Sequence, residues 1–140
     1  MTASQQFPYI ARAANLKAAS LVPMVPITLL AKNSLTAAGL LDTGAAINVL
    51  PYSSGLTLGL NWEEQSTPVQ LSGNLSISEA RAVLVTGVLG NFAPVRLAFA
   101  WAKTDAIPII LGQVNFFMEY DVCFYRTRQT FEIRPAAQPA

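Results

Sequence analysis

Leu40-Leu41-Asp42-Thr43-Gly44-Ala45 is the stretch whose reading decides the fold. Two leucines carry a strand toward a core, and the residue that ends it is an ionisable carboxylate. A small hydroxyl residue, a glycine and an alanine follow. Burying a carboxylate is costly unless it is hydrogen-bonded or shares a proton. Gly44 permits a tight turn and a close backbone approach, which places its amide to support the Asp42 carboxylate. The Thr43 hydroxyl is suited to locking the loop. Alone, the triplet is weak, because Asp-Ser/Thr-Gly arises by chance in roughly one chain in twenty of this length. A β-turn after a strand explains it as well.

Working outward from this loop, the chain reads as mostly strand. ITLLA (27–31), LTAAGLL (35–41) and INVL (47–50) are short apolar runs around it. ARAVLVTGVLG (80–90) and APVRLAFAWA (93–102) flank a turn at Gly90-Asn91, and YDVCFYR (120–126) and QTFEIR (129–134) meet at Thr127-Arg128. Runs of this kind, with turn signals about every 8–12 residues, indicate an all-β barrel or sandwich. Helix is limited to Gln113–Glu119, after Gly112, and a weaker candidate over Tyr52–Leu58 that contains Gly55. Residues 1–20 read as a flexible or dimer-forming N-terminal segment, 21–134 as one domain, and 135–140 as a mobile tail.

Composition narrows the chemistry. The 140 residues suit a single core, and 52% are hydrophobic while only 12% are charged, against roughly 25% in ordinary soluble domains. That balance implies a partner covering part of the apolar surface. The apolar stretch Leu21–Ala31 is too short to span a bilayer and contains Pro23 and Pro26. The first twenty residues lack the pattern of a signal peptide. The expectation is a soluble, cytoplasmic protein with no membrane insertion. A net charge of +1 with scattered Lys and Arg offers no basic stripe for nucleic acid. The single cysteine, Cys123, excludes an intrachain disulfide and a cysteine metal cluster. Histidine is absent, which removes Ser-His-Asp and Cys-His machinery and the usual zinc sites. No metal or cofactor is expected, and carboxylates remain as the acid–base groups. Trp62 and Trp101 read as packing residues, Glu63-Glu64 as a solvated loop, and Cys123, alternating with Val122 and Phe124, as a core residue.

Downstream lies Ile109-Ile110-Leu111-Gly112, followed by Gln113-Val114-Asn115-Phe116-Phe117 and the terminal pair of strands. Together with the Asp42 loop, this order resembles the retropepsin-like aspartic peptidases, retroviral proteases and their small bacterial relatives among them, over about Val25–Arg134. The resemblance implies a closed acid-protease barrel with one short C-terminal helix and one lobe per chain. It implies Asp42 as the catalytic aspartate, Thr43 as the residue that cross-bonds two active-site loops, and Gly44 as the glycine that completes the motif. It places a flap over Val69–Ala80, around Ser72-Gly73-Asn74. Substrate contacts then fall to Ala45, Ala46, Ile47, Gly73, Asn74, Leu75 and Ile109. Two positions depart from the retroviral pattern: Ala46 stands where an acidic residue follows the loop, and Gln113 where an arginine follows the downstream glycine. The loss of both members of a charge pair is coherent, since either charge alone would be costly.

The implied chemistry needs two adjacent carboxylates sharing one proton, one activating a water and the other protonating the peptide carbonyl. The chain has three aspartates. Asp105, in Lys103-Thr104-Asp105, reads as an exposed turn, and Asp121 as a structural strand residue. The second carboxylate is therefore expected from Asp42 of a second copy. The reading is a homodimeric aspartic endopeptidase acting on extended peptides or unfolded protein. Its rival is a non-catalytic peptide-binding or dimerisation module on the same fold.

Overall fold

In the computed structural model, which describes residues 3–11 and 21–137, the chain begins with β1 (Gln5–Pro8), β2 (Ile10–Ala11) and β3 (Leu21–Val22). Next come β4 (Met24–Leu30), β5 (Ser34–Leu41), β6 (Asn48–Leu50) and helix α1 (Tyr52–Thr57). β7 (Ala80–Val88), β8 (Val95–Ala102) and β9 (Ile109–Leu111) follow, then α2 (Phe116–Glu119), β10 (Tyr120–Tyr125) and β11 (Thr130–Pro135). Six of these strands close into a barrel in the order β4-β5-β9-β6-β8-β7. The architecture is all-β, with two short helices.

Period-two alternation explains which residues face inward. Along β4, Val25, Ile27 and Leu29 are buried while Pro26 and Leu30 are exposed. Their neighbours on β8 and β9, including Leu97, Phe99, Trp101, Ile109 and Leu111, fill the same core. The order of the barrel matters more than its content. β9 lies between β5 and β6, parallel to β5 through Gly39↔Ile109 and Leu41↔Leu111, and antiparallel to β6 through Val49↔Ile110. The connection from β5 to β6, which holds Asp42, therefore sits beside the residues that leave β9.

The helix over 52–57 forms despite Gly55, and the structure shows why the glycine is there. A Cβ at Gly55 would overlap the indole of Trp101, which is fully buried and donates Nε1–H to the Tyr52 carbonyl oxygen at 3.1 Å. Trp62 packs edge-on against Trp101 and lies beneath the Arg81 guanidinium. Both tryptophans are buried packing residues, as expected. α2 is shorter than the helix expected over Gln113–Glu119: residues 113–115 are held instead by bonds to the Asp42 loop and to β6.

The terminal strands form a second sheet, β1-β11-β10. Its inner face carries Phe7, Phe131, Phe124, Ile133 and Val122 onto the barrel core. Residues 5–8, expected as part of a flexible or dimer-forming segment, pair along β11 within the chain, and Tyr9 donates its amide to Gln129. Residues 1, 2 and 12–20 of that segment, and 138–140 of the tail, lie outside the described residues; Pro135 ends β11. The expectation for Cys123 is corrected. It is exposed, because the alternation that turns Val122 and Phe124 inward turns Cys123 outward beside Glu132. Among the described residues no helix is long and apolar enough to cross a membrane.

Candidate active site

Asp42 stands at the end of β5, where the barrel pairing stops. Its own amide still donates to the Leu111 carbonyl at 3.0 Å, so its backbone is fixed to β9. The side chain is half-buried, and its Oδ1 accepts the Gly44 amide at 3.0 Å. The Ala45 amide closes the turn onto the Asp42 carbonyl at 3.1 Å. The first bond orients the carboxylate, and the second closes the turn that carries it.

The loop after β9 grips this turn from the other side. Gln113 and Val114 donate their amides to the carbonyls of Ala45 and Ala46, each at 2.9 Å. The Gln113 side-chain amide donates to the Thr43 carbonyl at 2.8 Å. Gly112 must be glycine here, since a Cβ would collide with the carbonyl oxygens of Ile47 and Ala45. Its amide instead meets Asn48 Oδ1 at 2.8 Å. Asn48 is fully buried, and its Nδ2 donates to Ala98 O and to Asn115 Oδ1. Asn115 in turn accepts the Ala98 amide and donates to Arg96 O. This amide pair pins β6, β8 and the loop after β9 together beneath Asp42.

A cleft of about 370 Å³ opens at the carboxylate. One wall is Asp42, Gly44, Ala45, Ala46 and Ile47, and the facing side is Gln70, Leu71, Ser72 and Leu75. The floor, Val49 and Ile110, belongs to a small apolar cluster separate from the main core. The facing side comes from a hairpin whose legs pair through Val69 N–Ala80 O and Ala82 N–Thr67 O. A short 3₁₀ turn, Gly73–Leu75, forms near its tip, with Gly73 in the left-handed region.

Of the residues expected to act, the structure brings Asp42, Gly44, Ala45, Ala46, Ile47 and Leu75 to one cleft. Thr43 is exposed beside it, and Gly73 and Asn74 are exposed beyond its lining. Ile109, expected as a wall, is 4% exposed and belongs to the main core. Strand alternation turns Ile110 to the cleft in its place. Asn48, Gln70 and Gln113 were not expected as site residues. Asn48 had a signal, a polar residue inside the apolar run Ile47–Leu50, since such a group must find partners. Gln70 had none that distinguishes it from a solvent-facing glutamine, whereas Gln113 was marked only by its place after Gly112, where the retroviral pattern has an arginine.

Among the described residues, Asp42 is the one titratable side chain lining the cleft. Asp105 lies elsewhere, accepting the Ser53 amide at 2.8 Å at the start of α1, and Asp121 pairs with Arg134 at 3.4 Å on the outer face of the terminal sheet.

No family model matches the sequence, and no curated protein does. Solved structures do. A retropepsin-like aspartic protease from Rickettsia conorii superposes with a TM-score of 0.63 at 14% identity, over 95% of this chain and 93% of that one. The fold is retropepsin-like. EIAV protease, in complex with an inhibitor, superposes with a TM-score of 0.51 at 21% identity, over 70% of this chain and 88% of that one. In the retropepsin-like frame, the crossing of β9 between β5 and β6 is what sets the Asp42 turn against the Gly112 loop.

Proposed function

We propose that the chain is one half of a homodimeric aspartic endopeptidase, with Asp42 of each copy forming the catalytic pair. The observation that carries this reading is a single, half-buried carboxylate, oriented by the Gly44 amide, at an apolar-floored cleft on a retropepsin-like barrel. One carboxylate cannot be both base and acid in the same step, and among the described residues no other titratable group lines the cleft. A second copy related by a two-fold axis would supply the missing one, with the exposed Thr43 side chains cross-bonding the paired loops.

Two carboxylates a few ångströms apart resist joint ionisation, so the pair holds one proton over a range of pH. The ionised member takes a proton from a bound water, whose oxygen attacks the peptide carbonyl carbon. The protonated member gives its proton to the carbonyl oxygen. The resulting tetrahedral diol collapses as the carboxyl that took the water proton passes it to the leaving nitrogen and the C–N bond breaks, while the other carboxylate takes a hydroxyl proton from the diol and so restores the one-proton pair. The hairpin carrying Leu71 and Leu75 acts as a lid over an extended peptide or unfolded segment. Ile47, Leu75 and Ile110 favour apolar side chains next to the bond that is cut.

The test is hydrolysis of an unfolded protein between about pH 3 and pH 7 by wild type and Asp42→Asn. A bell-shaped rate profile is expected, with the variant lowered by at least about 10³-fold. Equal rates in the two proteins refute the assignment. Tight peptide binding without turnover at any pH selects the peptide-binding module instead.

A further inference from the structure

The peptide unit between Thr43 and Gly44 is bonded at both of its polar ends. Its N–H, on Gly44, donates to Asp42 Oδ1 at 3.0 Å, and its carbonyl oxygen, on Thr43, accepts from Gln113 Nε2 at 2.8 Å. The three groups form one chain, side-chain amide to peptide to carboxylate. Bonds arranged head to tail polarise one another, so a donor on the carbonyl makes the N–H at the far end of the same peptide a stronger donor. The same donor also fixes the plane of that peptide, whose rotation would carry the N–H away from the carboxylate. The Gln113 backbone is held separately, through its own amide to Ala45 O at 2.9 Å. Changing its side chain therefore leaves the loop in place.

The geometry points to Gln113 as a positioning residue for Asp42. It acts through the Thr43–Gly44 peptide to hold and strengthen the bond that orients the carboxylate. The kinetic part rests on the peptidase reading above; the structural part does not. In the single chain both Gln113 and Thr43 are exposed, so water competes with this bond, and covering by a second copy would strengthen it. The charged side chains on the surrounding elements are Asp42 itself, Arg96 on β8 and Glu119 at the end of α2. Residues 43–47 and 112–115 carry none.

Gln113→Met and Gln113→Glu test the assignment. The first keeps length and removes the donor. The second keeps shape but donates only while protonated. For Gln113→Met, kcat should fall about three- to tenfold with KM changed less than about twofold, by the same factor at every pH. Gln113→Glu should approach wild type near pH 3.5 and fall away as its carboxyl ionises above about pH 4.3, because a carboxylate repels the Thr43 oxygen. A purely structural role moves neither the kcat–KM split nor this pH dependence, and equal profiles for all three proteins overturn the proposal.

NMR gives an answer independent of turnover. In Gln113→Met the Gly44 amide proton should shift upfield, as its bond to the Asp42 carboxylate weakens. An unchanged Gly44 resonance in a folded variant overturns the assignment even if the chain is no peptidase. Wild-type cleavage matched by Asp42→Asn would sink the peptidase reading and leave this measurement to decide the role of Gln113.

Discussion

At the scale of single residues, two buried polar side chains have opposite consequences. Asn48 satisfies both ends of its amide, to Gly112, Ala98 and Asn115. Asn48→Leu would strand the buried Gly112 amide and take a bond from two part-buried acceptors, Ala98 O and Asn115 Oδ1, at about 1–3 kcal/mol for each bond lost. We expect a loss of roughly 3 kcal/mol or more in urea denaturation; a loss under about 1 kcal/mol would contradict the network. Tyr120 is the reverse case. Its ring is 1% exposed, and among the described residues its hydroxyl has no partner. Burial, reinforced by the Glu119 carboxylate, pushes that hydroxyl up to about 12 from 10.0. Above pH 10 the unfolded chain gives up this proton while the folded chain keeps it, so stability declines as pH rises through 12. At about 1.4 kcal/mol per unit, the decline is roughly 2–3 kcal/mol. Tyr120→Phe should match wild type within about 1 kcal/mol at pH 7 and lack that alkaline loss, as read from denaturation midpoints at each pH.

At the scale of elements, α1 sets local propensity against packing. Gly55→Ala should favour the helix by about 1 kcal/mol. The added Cβ, however, enters the ring of a fully buried Trp101 that is itself tied to Tyr52. Overpacking of this kind costs about 1–3 kcal/mol and sometimes more. The net effect should be a loss of about 1–2 kcal/mol, seen as a lowered thermal midpoint, and a stabilised variant would show that α1 can move off the indole. Elements also explain where the sequence was legible. The strands over 35–41, 80–90 and 120–126 were recognisable because their apolar runs end at turn residues. β1 was not, because QQFP has no apolar run; its pairing with β11 and the Phe7–Phe131 stack at 5.4 Å hold it.

At the scale of the whole molecule, the proposed site is divided between copies, and mixing can reveal that. With wild type diluted into about a tenfold excess of Asp42→Asn and allowed to exchange, nearly every wild-type chain pairs with an inactive one. Activity per wild-type chain should then fall about tenfold, measured against the same dilution into buffer containing an inert protein. Undiminished activity would mean that one chain supplies the whole site.

The sequence by itself determined the all-β class and singled out the Asp42 loop. Both are written locally, one in alternating apolar residues and the other in a carboxylate followed by Thr43 and Gly44 at the end of an apolar strand. Only the tertiary structure decided which neighbours that loop has. The passage of β9 between β5 and β6 brings residues some 70 positions apart into contact, Gln113 with Thr43 at 2.8 Å. It also turns Ile110 rather than Ile109 toward the cleft, and sends Cys123 outward. Side-chain period alone does not say which face of a strand meets a core. That is settled by what the rest of the chain packs against it, and such long-range pairing leaves no mark in the local sequence.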